Sequence, residues 1–574
     1  MSEPTPTPAT GEHPTGSTDR PDAGAGADGS RSETGIGPRI EERSRSDSAR
    51  SLGLTLLSGA IAVLVVAPLG WLVVTALGVG PGESFSLLSR PRTVGVLLNS
   101  AVMVVAVTGL SVAVAVPLAF LTARTDLPFR RFFTVAVSLP LVIPSYVGAF
   151  AFVSAFGPRG EFQALLAPLG IDSVPAIYGL PGVVGVLTLY TYPYVFLSTR
   201  ASLLTMDARL PEAARTLGGS RAEAFRRVTA PAIRPAVAAG ALLVALYTLS
   251  DFGTPAIMRY DVFTRVIYVE LTTFGGRDLA ALLSLQLVVV TLLLLAVESR
   301  VRTAAAGRSG SAGAGGARSN RIALGRWRWP AVALPAGVSA LALVVPVGVL
   351  GLWLLRGATG SGGASGIAGT LTDLAPAALN SVAVAAAAAL AAALLALPVA
   401  VRAAASDSRL PRLFERLTYV GYGVPGVVLG LALVFLGARY LGGFYQTLPL
   451  LVFAYVVRFL PQSVGSSRAA LGGIDVRLPE AARTLGRSGT GAFRAVTLPL
   501  IAPGVLAGAA LVFLTTMKEL PATLLLRPTG FETLVTTLWR AESAGYYGRA
   551  AIPALALVAV SGLSLALVLS REGR

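Results

Sequence analysis

Long apolar runs separated by short polar stretches fill the chain from residue 52 almost to its end. A helix needs about 20 apolar residues to cross a hydrocarbon core about 30 Å thick, and twelve runs approach or exceed this length. Only helices and closed barrels satisfy the backbone in lipid, and these runs are too long for barrel strands. We therefore predict an all-α polytopic membrane protein with about twelve transmembrane helices. The runs lie at 52–79, 96–122, 132–155, 178–199, 236–258, 279–298, 330–355, 375–402, 417–437, 447–466, 504–526 and 548–570.

Residues 1–50 differ in composition from the apolar region that follows. They are rich in Pro, Gly, Ser, Thr and Asp and show no apolar periodicity, so they cannot bury enough surface to offset the entropy of ordering. We predict a disordered cytosolic tail. The first apolar run is long for the hydrophobic region of a signal peptide and follows a long polar leader, which favours a retained first span.

Arginine is concentrated in alternate connections between the predicted helices. With the N-terminus in the cytosol, the inside connections include ARTDLPFRR at 123–131, the linker at 300–329 and RAAASDSRLPRLFER from Arg402. Basic residues concentrate in short cytosolic loops, so this orientation satisfies the positive-inside rule and the opposite one violates it. We predict cytoplasmic N- and C-termini and two halves, at 51–299 and 330–574.

The two halves repeat each other. LNS at Leu98 recurs at Leu379, and Pro144 recurs as Pro425, both 281 positions later, whereas the later part of each half repeats at an offset of 268. The cytosolic loops fall in the same places, which indicates a parallel duplication into two pseudo-symmetric six-helix halves. A pore or cavity between the halves is then the natural site for transport.

Composition narrows the chemistry further. The chain is 53% hydrophobic and 13% charged, with a net charge of +17 carried almost wholly by arginine, which we interpret as cytosolic loop charge rather than nucleic-acid binding. It has no cysteine and one histidine, His13 in the polar tail, so disulfides, a thiolate metal site and histidine catalysis are excluded. The only lysine, Lys518, is followed by Glu519, so no phosphate-binding loop is present and we predict neither an enzyme nor a metal site.

One polar segment occurs twice at matching positions. LPEAARTLGGSRAEAFRRVTAPAIRP begins at Leu210, and LPEAARTLGRSGTGAFRAVTLPLIAP begins at Leu478. Each starts with proline and glutamate, which suit the first turn of a helix, and each helix is then broken by glycine, at Gly218 and Gly486. Both segments fall in predicted cytosolic loops.

The second short helix of each segment is predicted to be capped differently. Ser220 followed by Glu223 has the spacing of a capping box, whereas the second copy keeps Ser488 but has Gly491 in place of the glutamate. The cap of the second copy should therefore be weaker. A helix, a glycine turn and a second helix projecting from the membrane form either a docking element or an amphipathic loop packed on its own membrane domain.

The two segments resemble the EAA loop of ATP-binding-cassette importer permeases. The residues that match this loop, by position, are Glu212, Ala213, Ala214, Gly218, Glu480, Ala481, Ala482 and Gly486. The resemblance implies the type I importer permease fold, here as a tandem fusion, with each loop inserted into a groove on an ATPase subunit. It also implies two ATPase copies that carry ATP and magnesium, no cofactor in this chain, an extracytoplasmic substrate-binding protein, and a location in the cell membrane.

Two further signatures bear on the solute. SDFGTPAIM from Ser250 and MKELPATLLLRPTGFETL from Met517 look most like ferric iron permeases, with thiamine and phosphonate permeases as relatives. The resemblance therefore implies import of ferric iron, or alternatively of thiamine, phosphonate or another small solute. A secondary transporter with twelve spans is the alternative of a different class, although its mechanism has no use for duplicated docking loops.

Two carboxylates lie at equivalent depths in the halves. Asp251 and Glu519 each lie about 22 Å beyond the predicted cytosolic start of a span. Ionised groups at that depth are expensive unless they face a cavity or a partner, so we predict that both line the solute pathway and give it a negative lining. The alternative places both in the outer interfacial layer, with Lys518 or Arg527 neutralising Glu519.

Phenol oxygens add to the predicted pathway. Carboxylate and phenol are the hard ligands that ferric iron prefers, and Tyr247 and Tyr260 can present them alongside Asp251 and Glu519. Such a pathway should bind iron weakly rather than form a metal site. Aromatic residues near span ends are often interfacial anchors, which is the alternative for Tyr260. Arg458 either faces the cavity or pairs with a neighbouring helix.

Overall fold

The structure is a computed structural model that describes most of the chain. Residues 51–574 form one compact unit, and residues 1–50 are grouped apart from it. Of the predicted disordered tail, residues 1–36 lie outside the described residues, whereas 37–50 are helical. Part of the linker predicted at 300–329, residues 310–320, also lies outside the described residues. The described backbone covers 37–157, 162–163, 177–207, 209–309, 321–359, 363–406, 408–475 and 477–572.

The named elements of the first half are all helical. In chain order they are α1 Gly37–Gly78, α2 Pro81–Leu88, α3 Pro91–Arg124, α4 Arg130–Ala136, α5 Ser145–Phe156, α6 Leu180–Thr205, α7 Arg209–Thr216, α8 Arg221–Ala224, α9 Ala230–Ser250, α10 Gly253–Ile257, α11 Phe263–Thr272 and α12 Arg277–Ser309. A 3₁₀ turn, Leu139–Val142, follows α4, and a π-helical turn, Phe225–Thr229, joins α8 to α9.

The second half repeats this order. Its helices are α13 Ala333–Ser339, α14 Val345–Thr359, α15 Gly363–Ala404, α16 Arg409–Gly423, α17 Gly426–Tyr440, α18 Leu448–Gly472, α19 Arg477–Thr484, α20 Gly489–Ala492, α21 Leu498–Met517, α22 Pro521–Leu526, α23 Leu534–Ser543 and α24 Tyr547–Glu572. The π-helical turn recurs at Phe493–Thr497, between α20 and α21, at the position equivalent to that in the first half. A single isolated β-bridge, between Thr125 and Ile322, is the only β pairing within the described residues.

Nine described helices are long and apolar enough to cross a membrane, or eleven spans if two bent helix pairs are each counted as one. The all-α polytopic fold is confirmed, but the spans predicted at 132–155 and 417–437 are not straight helices. The first is α4 with its 3₁₀ turn followed by α5, bent by 94°, and the second is α16 followed by α17, bent by 103°. The last predicted span, 548–570, lies within α24, Tyr547–Glu572.

Proline causes both bends. Pro144 and Pro425 stand at equivalent positions immediately before α5 and α17, with ψ angles of 135° and 140°. Proline disfavours the helical region for the residue before it, and Ile143 and Val424 have extended ψ angles of 125° and 124°. The chain therefore turns at the same point in each half.

The spans predicted at 236–258 and 504–526 end earlier than expected. In the structure α9 ends at Ser250 and α21 at Met517, so Asp251 and Glu519 lie just beyond helix ends and not within spans. A proline follows each break, Pro255 within α10 and Pro521 at the start of α22. Proline offers no N–H to continue the helical hydrogen bonds, so Pro255 and Pro521 favour a break at these positions.

The repeated LNS motif has the same role in both halves. The Asn99 side chain donates to the carbonyl of Asp261 at 3.0 Å, and the buried Ser100 hydroxyl accepts from the N–H of Phe263 at 3.1 Å, at the start of α11. In the second half Asn380 donates to the carbonyl of Glu532 at 3.0 Å, and Ser381 accepts from Leu534 at 2.8 Å, at the start of α23. Each motif satisfies backbone groups that a helix start leaves without partners.

The hydrophobic cores do not follow the division into halves. One cluster joins first-half residues such as Phe150 and Tyr192 to Leu350 and Leu557 of the second half. The other joins Leu72 and the residues around Val266 to the second-half helices α17 and α18. The two sequence halves are therefore interlocked, and each completes the core of the other.

Candidate functional site

A cavity of about 250 Å³ lies where the helix breaks of the two halves meet. The first half contributes the bend before α5 and the end of α9, and the second contributes α18 and the break after α21. Charged and phenolic side chains converge on it from both halves. They include Tyr194, Tyr247, Asp251, Arg458, Lys518 and Glu519.

Asp251 is held by hydroxyl and backbone donors. The hydroxyl of Ser145, the first residue of α5, donates to one carboxylate oxygen, and the N–H of Thr254 donates to the other at 2.9 Å. The phenol of Tyr247 donates to the Ser145 oxygen at 3.4 Å, which extends the network into the cavity. In the described part of the chain no arginine or lysine forms an ion pair with Asp251. Its direct partners are therefore hydrogen-bond donors of uncharged groups.

Glu519 occupies the equivalent break but has a basic partner. It is 6% exposed, and one of its carboxylate oxygens lies 2.5 Å from a guanidinium nitrogen of Arg458 on α18. The same oxygen accepts from the N–H of Ala522 at 3.2 Å. A Cβ added to Gly426, the first residue of α17, would lie 1.8 Å from the Arg458 guanidinium and 2.3 Å from that oxygen. The ion pair therefore occupies space that only glycine leaves free.

Lys518 connects the two halves across the cavity. Its ammonium group donates to the carbonyl of Leu141 at 3.2 Å, in the 3₁₀ turn before the first bend. With Arg458, it places two bases among the lining residues beside the two acids. The expected negative lining is therefore wrong, because Arg458 and Lys518 balance Asp251 and Glu519. Neither Lys518 nor Arg527 neutralises Glu519, since Arg527 pairs with Glu532 at 2.6 Å.

The predicted pathway residues are only partly brought together. Tyr247, Asp251 and Glu519 line the cavity, but Tyr260 does not. Tyr260 follows the turn after α10, where its N–H donates to the carbonyl of Pro255 at 2.9 Å and its ring packs at the edge of the core. Both interpretations of Arg458 apply. It lines the cavity, and it pairs with Glu519 in the break that follows α21.

Sequence reasoning missed two residues that shape this site, Ser145 and Gly426. They are equivalent positions, 281 apart, and each immediately follows a bend proline. The repeat offset of 281 could have indicated them, because it aligns Ser145 with Gly426. Each is the first residue of a helix that faces a break. Within the described residues no group of three or more His, Cys, Asp or Glu side chains is placed to hold a metal ion.

The two repeated loops project as exposed helical pairs. Glu212, Ala213 and Gly218 are exposed in the first loop, as are Glu480, Ala481 and Gly486 in the second, whereas Ala214 is half-buried and Ala482 is 8% exposed. Gly218 and Gly486 have φ angles of +88° and +89°, a left-handed conformation that glycine adopts without strain. Exposed leucines flank the helices, namely Leu210, Leu217, Leu478 and Leu485.

The predicted difference in capping is not found. Ser220 accepts from the N–H of Glu223 at 3.2 Å, and Ser488 accepts from the N–H of Gly491 at the same distance. The Glu223 side chain instead pairs with Arg227 at 2.9 Å. Both loops therefore share one serine cap.

Comparison with known proteins covers most of the chain. Residues 115–303 and 392–571 both match the family described as binding-protein-dependent transport system inner membrane component. The chain is 31% identical to an Fe(3+)-transport system permease protein of Haemophilus influenzae, over 90% of this chain and 97% of that protein. It is 28% identical to a probable ABC transporter permease of Sinorhizobium fredii, over 91% and 95%. It is also 29% identical to a probable molybdenum ABC transporter permease of Haloferax volcanii, over 42% and 85%.

Proposed function

The chain belongs to the family of binding-protein-dependent transport system inner membrane components, as a tandem fusion of two permease halves, and we propose that the solute it imports is ferric iron. It is a multi-pass transport subunit and not an enzyme. Membership of this family implies an ATPase and an extracytoplasmic binding protein as partners. The observation that carries the iron proposal is the similarity to an Fe(3+)-transport permease along 97% of that protein.

The cavity offers oxygen ligands suited to a hard cation. Asp251, with the Tyr247 phenol two hydrogen bonds away, provides a carboxylate that no base neutralises directly. A carboxylate and a phenol favour ferric iron over softer metals. Because these oxygens are few and are already hydrogen-bonded, they support passage with weak binding, as rapid release requires.

A small oxyanion is the second candidate solute. Lys518 and Arg458 supply positive charge in the cavity, and a relative of one half is a probable molybdenum permease. Thiamine and phosphonate remain alternatives on the resemblance carried by SDFGTPAIM and MKELPATLLLRPTGFETL alone. Proteoliposomes containing the permease, its ATPase and its binding protein should take up labelled ferric iron on addition of ATP. Uptake of molybdate or sulfate without uptake of iron would replace the iron proposal with the oxyanion one.

Two ATPase copies, carrying ATP and magnesium, are proposed to dock on the two exposed loops. Support comes from the exposure of equivalent side chains in both loops and from the flanking leucines, since apolar groups left exposed beside charged ones are typical of an interface. The residues proposed to contact the ATPase are Glu212, Ala213, Ala214, Gly218, Glu480, Ala481, Ala482 and Gly486. This arrangement requires both loops, and hence both termini, to be cytoplasmic.

The docking proposal is tested by removing both loop glutamates. Glu212→Ala with Glu480→Ala should leave insertion intact while uncoupling solute uptake from ATP hydrolysis and weakening ATPase association. Glu83→Ala with Asp278→Ala is the matched control, because it removes two exposed carboxylates outside the loops. Normal uptake by the loop variant at normal membrane abundance would refute the role of these glutamates.

Orientation and energy source can be tested separately. The chain has no cysteine, so single cysteines at Ser309 and Ser365 can be labelled without background, and only Ser365 should react from outside. Uptake driven by a proton or sodium gradient in the absence of ATP would instead favour a secondary transporter.

A further inference from the structure

The end of the linker between the halves is fastened to the first arginine-rich loop. The N–H of Ile322 donates to the carbonyl of Arg124 at 2.9 Å, and the N–H of Asp126 donates to the carbonyl of Ile322 at 3.2 Å. The N–H of Leu324 then donates to the Asp126 carboxylate at 2.9 Å. Helix α13, which follows the linker, packs against α4, which follows the loop. The two segments therefore lie side by side at the starts of two membrane helices.

This arrangement gathers arginines without acidic partners. Arg130 lies within range of charge repulsion from Arg131, Arg200 and Arg321. The Nε atom of Arg200 is buried without a hydrogen-bond partner, and no ion pair to any of these four arginines occurs in the described part of the chain. Bringing like charges together costs free energy, which a bound anion would offset.

Exposed aromatic rings border the arginines. Trp327 is 61% exposed and Trp329 is 67% exposed, and both lie directly before the span that begins at Pro330. Phe129 and Phe132 are similarly exposed at the start of α4. Aromatic side chains at span ends lie at the level of lipid headgroups, with the ring in the apolar boundary and any polar group in water. A soluble anion gains nothing from such rings, whereas a lipid contacts them with its acyl region.

We propose that this surface binds the headgroups of anionic phospholipids. It is named the linker patch and consists of Arg130, Arg131, Arg321, Arg326, Trp327 and Trp329. The arginines would contact phosphate oxygens, while the tryptophans would hold the glycerol and upper acyl region. Because the patch joins the first cytosolic loop to the linker, a bound lipid would also hold the two segments together. This inference is independent of the transported solute.

The test compares two pairs of exposed arginines that carry the same charge. Arg321→Gln with Arg326→Gln alters the linker patch, and Arg409→Gln with Arg416→Gln alters the predicted cytosolic start of α16. Purified full-length protein is titrated with phosphatidylglycerol or phosphatidylcholine, and bound lipid is counted by native mass spectrometry. The patch variant should bind phosphatidylglycerol about thirtyfold more weakly than the unaltered protein, since it lacks two basic residues and each one near an anionic surface contributes about 1 kcal/mol. The control pair should bind it normally.

Two further measurements keep the result interpretable. Arg321→Lys with Arg326→Lys retains the charge and should retain phosphatidylglycerol binding, and thermal unfolding in detergent alone confirms that each variant is folded. Binding of phosphatidylcholine should not change. Equal loss of phosphatidylglycerol in the patch and control variants would refute the proposal, because it would indicate general charge attraction. Complete displacement of the lipid by inorganic phosphate at constant ionic strength would also refute it, since the site would then accept any phosphate.

Discussion

Each half places a carboxylate at the equivalent break in the fold, but the two carboxylates have different partners. Asp251 receives hydrogen bonds from Ser145 and Thr254, whereas Glu519 forms an ion pair with Arg458 at 2.5 Å. The position equivalent to Arg458, 268 residues earlier, is Tyr190, whose phenol donates to the carbonyl of Ala342 at 3.3 Å. The backbone was duplicated, but the counter-charge exists in one half only.

This difference assigns different tasks to the two carboxylates. Glu519 is already neutralised and almost fully buried, so an incoming cation must compete with Arg458 for it. Asp251 forms no ion pair among the described residues, and it shares its Ser145 partner with Tyr247 on the cavity wall. Equivalent depth therefore does not imply equivalent chemistry. The comparison predicts that the second-half site matters more for stability and the first-half site more for transport.

The largest expected effect follows from breaking the ion pair. Arg458→Met leaves the Glu519 carboxylate buried without its base, and removal of one partner of a buried pair costs about 3–5 kcal/mol. We expect a strongly lowered thermal unfolding midpoint in detergent and little assembled complex. The matched first-half variant, Ser145→Ala, removes one hydrogen bond to Asp251 and should cost about 2 kcal/mol.

A double variant distinguishes loss of the ion pair from a general disturbance of the core as the cause of the lowered stability. Arg458→Met combined with Glu519→Gln removes both charges, so most of the stability should return. If the double variant is as unstable as Arg458→Met alone, then Arg458 stabilises the fold through packing and the ion pair is not the reason.

A smaller effect should follow from filling the space beside the pair. In Gly426→Ala the new methyl group meets both Arg458 and Glu519, and forcing extra atoms into a packed region costs about 1–3 kcal/mol. The stability lost in Gly426→Ala should be smaller when Arg458→Met and Glu519→Gln are already present, because the new methyl group then meets neither the guanidinium nor the carboxylate. Gly472→Ala is the control, since its Cβ would meet nothing within 4 Å. An equal loss of stability in both alanine variants would argue against crowding.

A third prediction tests whether the two carboxylates contribute differently to transport. Asp251→Asn with Glu519→Gln should lower ferric iron uptake per assembled complex at least about tenfold, a barrier change of about 1.4 kcal/mol, and should also lower the amount of assembled complex, because Glu519→Gln leaves Arg458 buried without its partner. From the geometry, Asp251→Asn alone should cause most of this loss, because Asp251 forms no ion pair among the described residues that a passing cation must displace. Uptake by reconstituted complexes, normalised to assembled protein, measures both variants. Undiminished iron uptake by Asp251→Asn would remove Asp251 from the pathway.

The sequence predicted the elements of this fold well, because length and apolar composition determine which segments can cross a membrane. It also located the exposed loops, where motif and arginine distribution agree. The bends at Pro144 and Pro425 were not predicted, since an apolar run has the same composition whether its helix is straight or bent. Their matching positions in both halves were the signal that could have indicated them.

The side-chain pairs inside the cavity could not be predicted from the sequence. Whether Arg458 reaches Glu519 depends on the rotation of α18 against the break after α21, and no single-chain pattern encodes the relative rotation of two helices 61 residues apart in sequence. The same holds for Lys518, whose partner Leu141 is 377 residues away. Residue type and neighbourhood in the sequence predict Tyr260 in the pathway, but Tyr260, which follows the turn after α10, is not among the residues that line the cavity.

The smallest expected effect concerns the caps of the two loops, where the halves should behave alike. The sequence predicts a stronger cap in the first loop because Glu223 could complete a capping box, but in the structure Glu223 pairs with Arg227 and both serines accept one N–H at 3.2 Å. Ser220→Ala and Ser488→Ala should therefore cost similar amounts, about 1 kcal/mol each, measured as the change in unfolding free energy or as hydrogen exchange within α8 and α20. Glu223→Ala should cost less than about 0.5 kcal/mol, because an exposed ion pair between residues four apart contributes little. If Ser220→Ala proved much more damaging than Ser488→Ala, and Glu223→Ala matched it, the capping box would form in solution and the loops would differ after all.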